Sequence, residues 1–167
     1  MIPRIVPLDE SHFDALYGVL DVVAREKRFL ALTQAPPMDE ALAFLRNIVD
    51  HDHPHFVALL DERVVGWCDI LPAFGDARRH LGVLGIGLAP EARHRGLGAL
   101  LMRATIAKAW DQRLTRIELT VRTDNHNARA LYERMGFEHE GIKRRAFLID
   151  GVYHDLHAMA LLRKDAA

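Results

Sequence analysis

The stretch over residues 84–99, LGIGLAPEARHRGLGA, constrains this chain most. It reads as an apolar strand that breaks at Pro90 and runs through Arg93, His94, Arg95, Gly96, Leu97 and Gly98 straight into a helix-forming segment. Gly96 and Gly98 lack a Cβ, so the backbone there can take positive φ and present several N–H groups to one anion. A helix beginning near Gly98 aims its unpaired N–H groups and the positive end of its dipole at the same spot, and Arg93 and Arg95 add full charges. The ligand this turn predicts is a polyphosphate.

Two common phosphate motifs are excluded. A P-loop ends Gly-Lys-Ser/Thr, whereas Gly98 is followed by Ala99 and Leu100. A dinucleotide fingerprint needs GxGxxG at a strand end, and the glycines here fall at 82, 85, 87, 96 and 98. What remains is Arg-x-x-Gly-x-Gly, met by Arg93, Gly96 and Gly98. Downstream, residues 117–122 alternate as a strand, with Ile117, Leu119 and Val121 on one face and Glu118, Thr120 and Arg122 on the other. Thr123-Asp124-Asn125 then offers N-cap chemistry, and Ala128, Leu131, Tyr132 and Met135 recur at helical spacing. Gly136 stands where a left-handed C-terminal residue belongs. A helix of about two to three turns is predicted there.

The two motifs, in this order, resemble the acetyl-coenzyme A signature of the GNAT N-acetyltransferase superfamily, whose second stretch reads Asn-x-x-Ala-x-x-Leu-Tyr-x-x-x-Gly-Phe. Asn125, Ala128, Leu131, Tyr132, Gly136 and Phe137 match it throughout. From about residue 64 to 162 the chain is similar to the small-molecule branch, which includes phosphinothricin and amino-acid acetyltransferases. The resemblance implies direct acetyl transfer from acetyl-coenzyme A to a primary amine of a small molecule. Acetylation of a protein or peptide amine, or non-catalytic sensing of acyl-coenzyme A, are the alternatives.

It also implies roles. Backbone N–H groups of Arg93, His94, Arg95, Gly96, Leu97, Gly98 and Ala99 would hold the coenzyme A pyrophosphate, and Ile86, Gly87 and Leu88 would pair with the pantetheine arm as an added strand. Tyr132 would be the general acid toward the departing thiolate, and Asn125 either caps its helix or binds pantetheine amides. The predicted donor strand carries no Asp or Glu, and Thr120 replaces the Glu of ribosomal N-terminal acetyltransferases, which counts against protein N-termini as substrate. Glu118 and His80 are therefore the candidate bases. Glu26, Arg28 and Phe29 are candidate acceptor-binding residues, or simply the end of a helix with favourable cations. Relatives that pair suggest a homodimer.

Composition narrows the rest. A formal net charge of −1 gives no basic field for nucleic acid or anionic lipid. Cys68 is the only cysteine, so no intramolecular disulfide forms. With no membrane-length apolar run and no secretory signal at the start, a cytoplasmic protein is expected. Cys68 lies in an apolar strand and reads as a small buried hydrophobe. His51, His53 and His55 flank a predicted turn with no second ligand cluster, so no metal is predicted.

The remaining elements follow from periodicity. Residues 2–6 predict a strand and Ser11 with Asp14 a capping box. Helices are predicted near 13–26 and 39–49, and a hairpin over 56–60 and 64–71. A strand over 81–88 leads to a helix over about 98–112 that should bury Leu100, Leu101, Ala104 and Ala107. Strands over 137–146 and 152–162 meet at Asp150-Gly151. The order β-α-α-β-β-β-α-β-α-β-β predicts a mixed α/β chain, GNAT-like, with a largely antiparallel central sheet, as one domain over residues 1–167.

Overall fold

Short apolar runs punctuated by turn residues assemble into one seven-stranded sheet, which a computed structural model describes, with its helices, over residues 2–165. The strands are β1 (Arg4–Pro7), β2 (His55–Leu60), β3 (Arg63–Pro72), β4 (Leu81–Leu88), β5 (Arg116–Arg122), β6 (Glu138–Ile149) and β7 (Val152–Leu162). The helices are α1 (Phe13–Arg25), α2 (Met38–Asp50), α3 (Leu97–Asp111) and α4 (His126–Arg134). Across the sheet the strands run β1-β2-β3-β4-β5-β7-β6, and β4–β5 is the one parallel pair.

Each face of the sheet has its own core. Phe13, Leu16 and Val23 of α1 and Leu45 and Ile48 of α2 cover Val57, Leu59 and Trp67 on one side. On the other, Leu97, Leu101, Met102, Ile106 and Ala109 of α3 and Tyr132 of α4 cover Cys68, Ile70, Ile117 and Leu119. Successive strand residues alternate between these faces, which is why Cys68 and Asp69 look in opposite directions. Among the described residues no helix is long and apolar enough to cross a membrane.

Local chemistry explains several joints. Asp150 and Gly151 both take positive φ, 49° and 79°, and close the β6–β7 hairpin. Gly136, at φ 98°, ends α4 in the left-handed region. Three expectations are corrected. The capping box is built from Asp9 and His12 rather than Ser11 and Asp14: the Asp9 carboxylate accepts from Ser11 N–H at 2.8 Å, and Asp9 N–H donates to His12 Nδ1 at 3.1 Å. Helix α3 buries Leu97, Leu101, Met102, Thr105, Ile106 and Ala109, while Leu100 and Ala107 face solvent. Apolar residues on several sides of α3 leave the choice of face to packing. Thr105 is tolerated inside because its hydroxyl donates to the Leu101 carbonyl at 2.7 Å. Strand β6 continues to Ile149, beyond the expected end at 146, since register shifts at His139/Gly141 and Lys143/Phe147 upset its alternation.

The feature that positions the site is the shortness of the parallel pair. It consists of Leu81↔Arg116, Gly82↔Ile117 and Val83↔Glu118. Beyond it β4 stays with β3 up to Leu88↔Gly66, while β5 stays with β7 up to Arg122↔Leu156. The two strands part, and beyond Val83↔Glu118 they make no ladder pairs with each other.

Candidate active site

The opening between β4 and β5 leads to the turn that starts α3. Gly96 caps the helix at φ 79°, with nothing within 4 Å of where a Cβ would stand. The first intrahelical bond runs from Leu100 N–H to the Gly96 carbonyl, so the N–H groups of Leu97, Gly98 and Ala99 have no helical partner. Gly98 is buried against Leu131 of α4, whose Cδ2 would lie 3.1 Å from an added Cβ. His94 also has positive φ, 62°, and both His94 and Arg95 are exposed. These N–H groups without helical partners follow the end of the strand that carries Ile86, Gly87 and Leu88.

Arg93 departs from expectation. Instead of waiting for an anion, its guanidinium donates to both Glu26 carboxylate oxygens, at 2.9 and 2.6 Å, and to the Leu88 carbonyl at 3.1 Å. It lies 4.7 Å from the Phe29 ring centroid. Glu26 and Phe29 are thus partners of Arg93, whose charge the bidentate carboxylate neutralises. Arg28 is exposed, its guanidinium 5.9 Å from the same ring. Arg122, itself buried, pins the neighbouring residue by donating to the Lys27 carbonyl at 3.0 Å, and Asp124 holds the rest of its guanidinium. The chain leaving α1 is therefore tied down beside the mouth of the opening.

With both side chains 23 % exposed, breaking the Arg93–Glu26 pair should cost about 1–3 kcal/mol, between the surface and buried limits. Arg93→Ala and Glu26→Ala are expected to destabilise similarly. In the double variant the losses should fall short of additive by about 1 kcal/mol in chemical denaturation.

The face of β4 that looks toward α1 and α2 carries glycines at the opening, and β3 supplies the side chains over them. Trp67 lies opposite Gly87, and an added Cβ there would meet its indole carbons at 2.3–2.9 Å. Asp69 lies opposite Gly85, where an added Cβ would stand 3.1 Å from its Oδ1. The Asp69 side chain is 13 % exposed. Burial pushes its carboxyl up to about 7, partly offset by the Gly85 backbone amide. Its neighbour on β2 is His55, with Nε2 3.6 Å from Asp69 Oδ2 and Nδ1 buried without a partner. Burial lowers His55 to about 4, so the ring is neutral at pH 7 and leaves the carboxylate uncompensated. In the sequence the one signal of Asp69 is that it is a lone acid within an apolar strand.

Tyr132 approaches from the opposite face. It is 7 % exposed, packs against Phe137 with ring centroids 6.1 Å apart, and has the Cys68 thiol nearby. Burial pushes the phenol well up, keeping it protonated, and among the described residues its hydroxyl takes no hydrogen-bond partner. Asn125 serves as the cap of α4, accepting from Ala128 N–H at 3.2 Å. Cys68 is fully buried, and burial pushes its thiol up, as a structural thiol requires.

The two expected bases lie at or before the last β4–β5 pair. His80 is exposed at the closed end of the parallel pair, where its carbonyl accepts from Thr115 and Arg116 N–H. Glu118 lies at the last paired register, but its carboxylate leans back along β5 to Arg116 Nε at 2.9 Å. His51 and His53 stack at 5.6 Å while His55 turns into the sheet. Among the described residues no group of three or more potential metal ligands gathers.

Comparison with known proteins agrees with this geometry. The Acetyltransferase (GNAT) family matches residues 19–137. The chain is 37% identical over 109 residues to the L-amino acid N-acetyltransferase AaaT of Escherichia coli (strain K12), covering 64% of this chain and 67% of that protein. It is 34% identical over 110 residues to the N-alpha-acetyltransferase RimI of Mycobacterium tuberculosis, covering 65% of this chain and 67% of that one. A phosphinothricin acetyltransferase from Sinorhizobium meliloti, solved in complex with AcCoA, shares the fold with a TM-score of 0.90 at 19% identity, covering 97% of this chain and 89% of that one. The family match over most of the chain, on a sheet whose central strands part beside an amide-lined helix start, makes this protein a member of the GNAT acetyltransferase family.

Proposed function

We propose that the protein moves the acetyl group of acetyl-coenzyme A directly onto the primary amine of a small, amino-acid-like molecule. The observation that carries this reading is the coincidence, at one opening, of parted strands β4 and β5, amides without helical partners at the start of α3, and the Tyr132 hydroxyl, which takes no hydrogen-bond partner among the described residues. The backbone from Arg93 to Ala99 would receive the diphosphate, the β4 edge at Ile86, Gly87 and Leu88 the pantetheine amides, and a β4 amide the thioester oxygen. Preorganised donors of that last kind are typically worth about 3–4 kcal/mol at the transition state. Tyr132 would protonate the leaving sulfur.

Small acceptors are favoured because the segment after α1 is tied down at three places: Glu26 to Arg93, the Lys27 carbonyl to Arg122, and the Lys27 amine to Asp150 at 3.0 Å. A wall so pinned suits a compact amine better than an extended peptide, and the amino-acid acetyltransferase relative points the same way. The exposed β6–β7 hairpin, with Ile142, Leu148, Val152 and Tyr153 on its surface, would supply the contact of a homodimer. We place the protein in the cytoplasm.

A thiol-release assay with acetyl-coenzyme A against amino acids, their analogues, polyamines and aminoglycosides tests the reading. Turnover is expected with a compact amine. Acetylated peptide without any acetylated small amine would move the assignment to the reading the RimI relative carries. Donor binding with no thiol release from any amine would leave only a sensor.

A further inference from the structure

We propose that Asp69 is the general base of this transfer, its carboxylate standing over Gly85 where the donor strand itself has no acid to offer. The inference rests on the acetyl-transfer reading above.

Three positional facts place it. First, Asp69 is paired with Gly85, two residues past the last β4–β5 pair, so it stands at the start of the opening. Second, a Cβ on Gly85 would meet Asp69 Oδ1 at 3.1 Å, so the carboxylate fills the space a β4 side chain would otherwise hold. Third, Asp69 and Cys68 are consecutive on β3 and point to opposite faces, and Tyr132 lies beside Cys68. Base and acid therefore flank one step of the sheet, Cys68–Asp69 against Gly85–Ile86, from opposite sides. An acceptor amine on the α1–α2 side and a leaving sulfur on the α3–α4 side would place the thioester carbon between them. The alternatives are occupied or remote: Glu118 is held by Arg116, and His80 lies at the closed end.

Charge supports the position. A carboxyl raised to about 7 by burial is matched to proton abstraction near neutral pH. The titratable groups around it are His55 of β2, with His12 behind it, and Cys68 on the far face of its own strand. Helices α1 and α2 cover this side of the sheet with apolar residues such as Phe13, Leu16, Val23 and Leu45.

Protons and electrons balance as follows. The Asp69 carboxylate takes one proton from the acceptor ammonium, and the freed nitrogen pair forms the C–N bond to the thioester carbon. The C–S bond then breaks with its electron pair on sulfur, which takes the Tyr132 phenol proton. The second proton leaving nitrogen restores the phenol, and Asp69 releases its proton to solvent. One amide, one thiol and one proton result.

The test uses the whole chain and the acceptor found by thiol release. In the wild type kcat/KM should rise with pH through a midpoint near 7. Asp69→Asn should lower turnover about 10²- to 10⁴-fold and abolish the rising limb, with calorimetric affinity for acetyl-coenzyme A within about threefold. Asp69→Glu should recover part of the rate. The stability readout has a definite sign. Because the folded carboxyl sits above its unfolded value, the stabilisation it brings is complete below about 4 and lost as pH rises through about 7. Asp69→Asn should therefore melt at or above the wild-type temperature at pH 8. An aspartate with a merely structural role would instead lose melting temperature and donor affinity together in both variants. Turnover of Asp69→Asn within threefold of an active wild type overturns the proposal alone. A wild type that binds donor but acetylates no amine overturns the acetyl-transfer reading, and the base with it.

Discussion

Tyr132→Phe is expected to slow turnover by about 10²- to 10⁴-fold, the range for loss of a positioned proton donor. Acetyl-coenzyme A affinity and stability should barely change. The hydroxyl has no hydrogen-bond partner among the described residues, so its removal strands nothing. Removing a hydroxyl that no protein group is paired with leaves no partner unsatisfied. The ring, which packs against Phe137 and the α3 side of the sheet, remains. Stopped-flow or steady-state thiol release, read beside calorimetric donor binding, separates the two outcomes. Equal turnover would remove the phenol from the mechanism, and a parallel collapse of melting temperature would make Tyr132 a packing residue.

A second large effect is expected where Trp67 lies over Gly87. Trp67→Ala should cost about 3–5 kcal/mol, the usual loss for a buried indole, and lower the melting temperature by roughly 10 °C in a chain of this size. Gly87→Ala in the wild type forces a methyl to within 2.3 Å of an indole carbon, so the ring must shift. Overpacking of that kind costs about 1–3 kcal/mol. The same change in the Trp67→Ala background should be harmless, because the space it needs has been vacated. The double variant then shows strong coupling in a thermodynamic cycle. Additive losses would mean that the glycine serves the backbone of β4 and not the indole.

These two residues also show why β4 is rich in glycine. At Gly85 and Gly87 strand β4 gives up its own side chains, and β3 covers those positions with Asp69 and Trp67. Residues 81–88 carry no acid of their own. Asp69 belongs to the adjacent strand β3, and pairing register sets it opposite Gly85.

What the chain alone determined is local. Gly96 at positive φ, the free amides at the start of α3, the Asn125 cap, the left-handed Gly136 and the Asp150-Gly151 turn each depend on backbone geometry within a few residues, so composition and spacing specify them. The order of strands and helices was legible for the same reason. Tertiary structure decided which charges are free and which are spent. Arg93 and Glu26 meet across 67 positions, Asp69 is raised by burial rather than by any neighbour in sequence, and α3 chose its inward face from several apolar ones. Such outcomes turn on strand register and desolvation, which are properties of the assembled layers and have no signature in a short window of sequence.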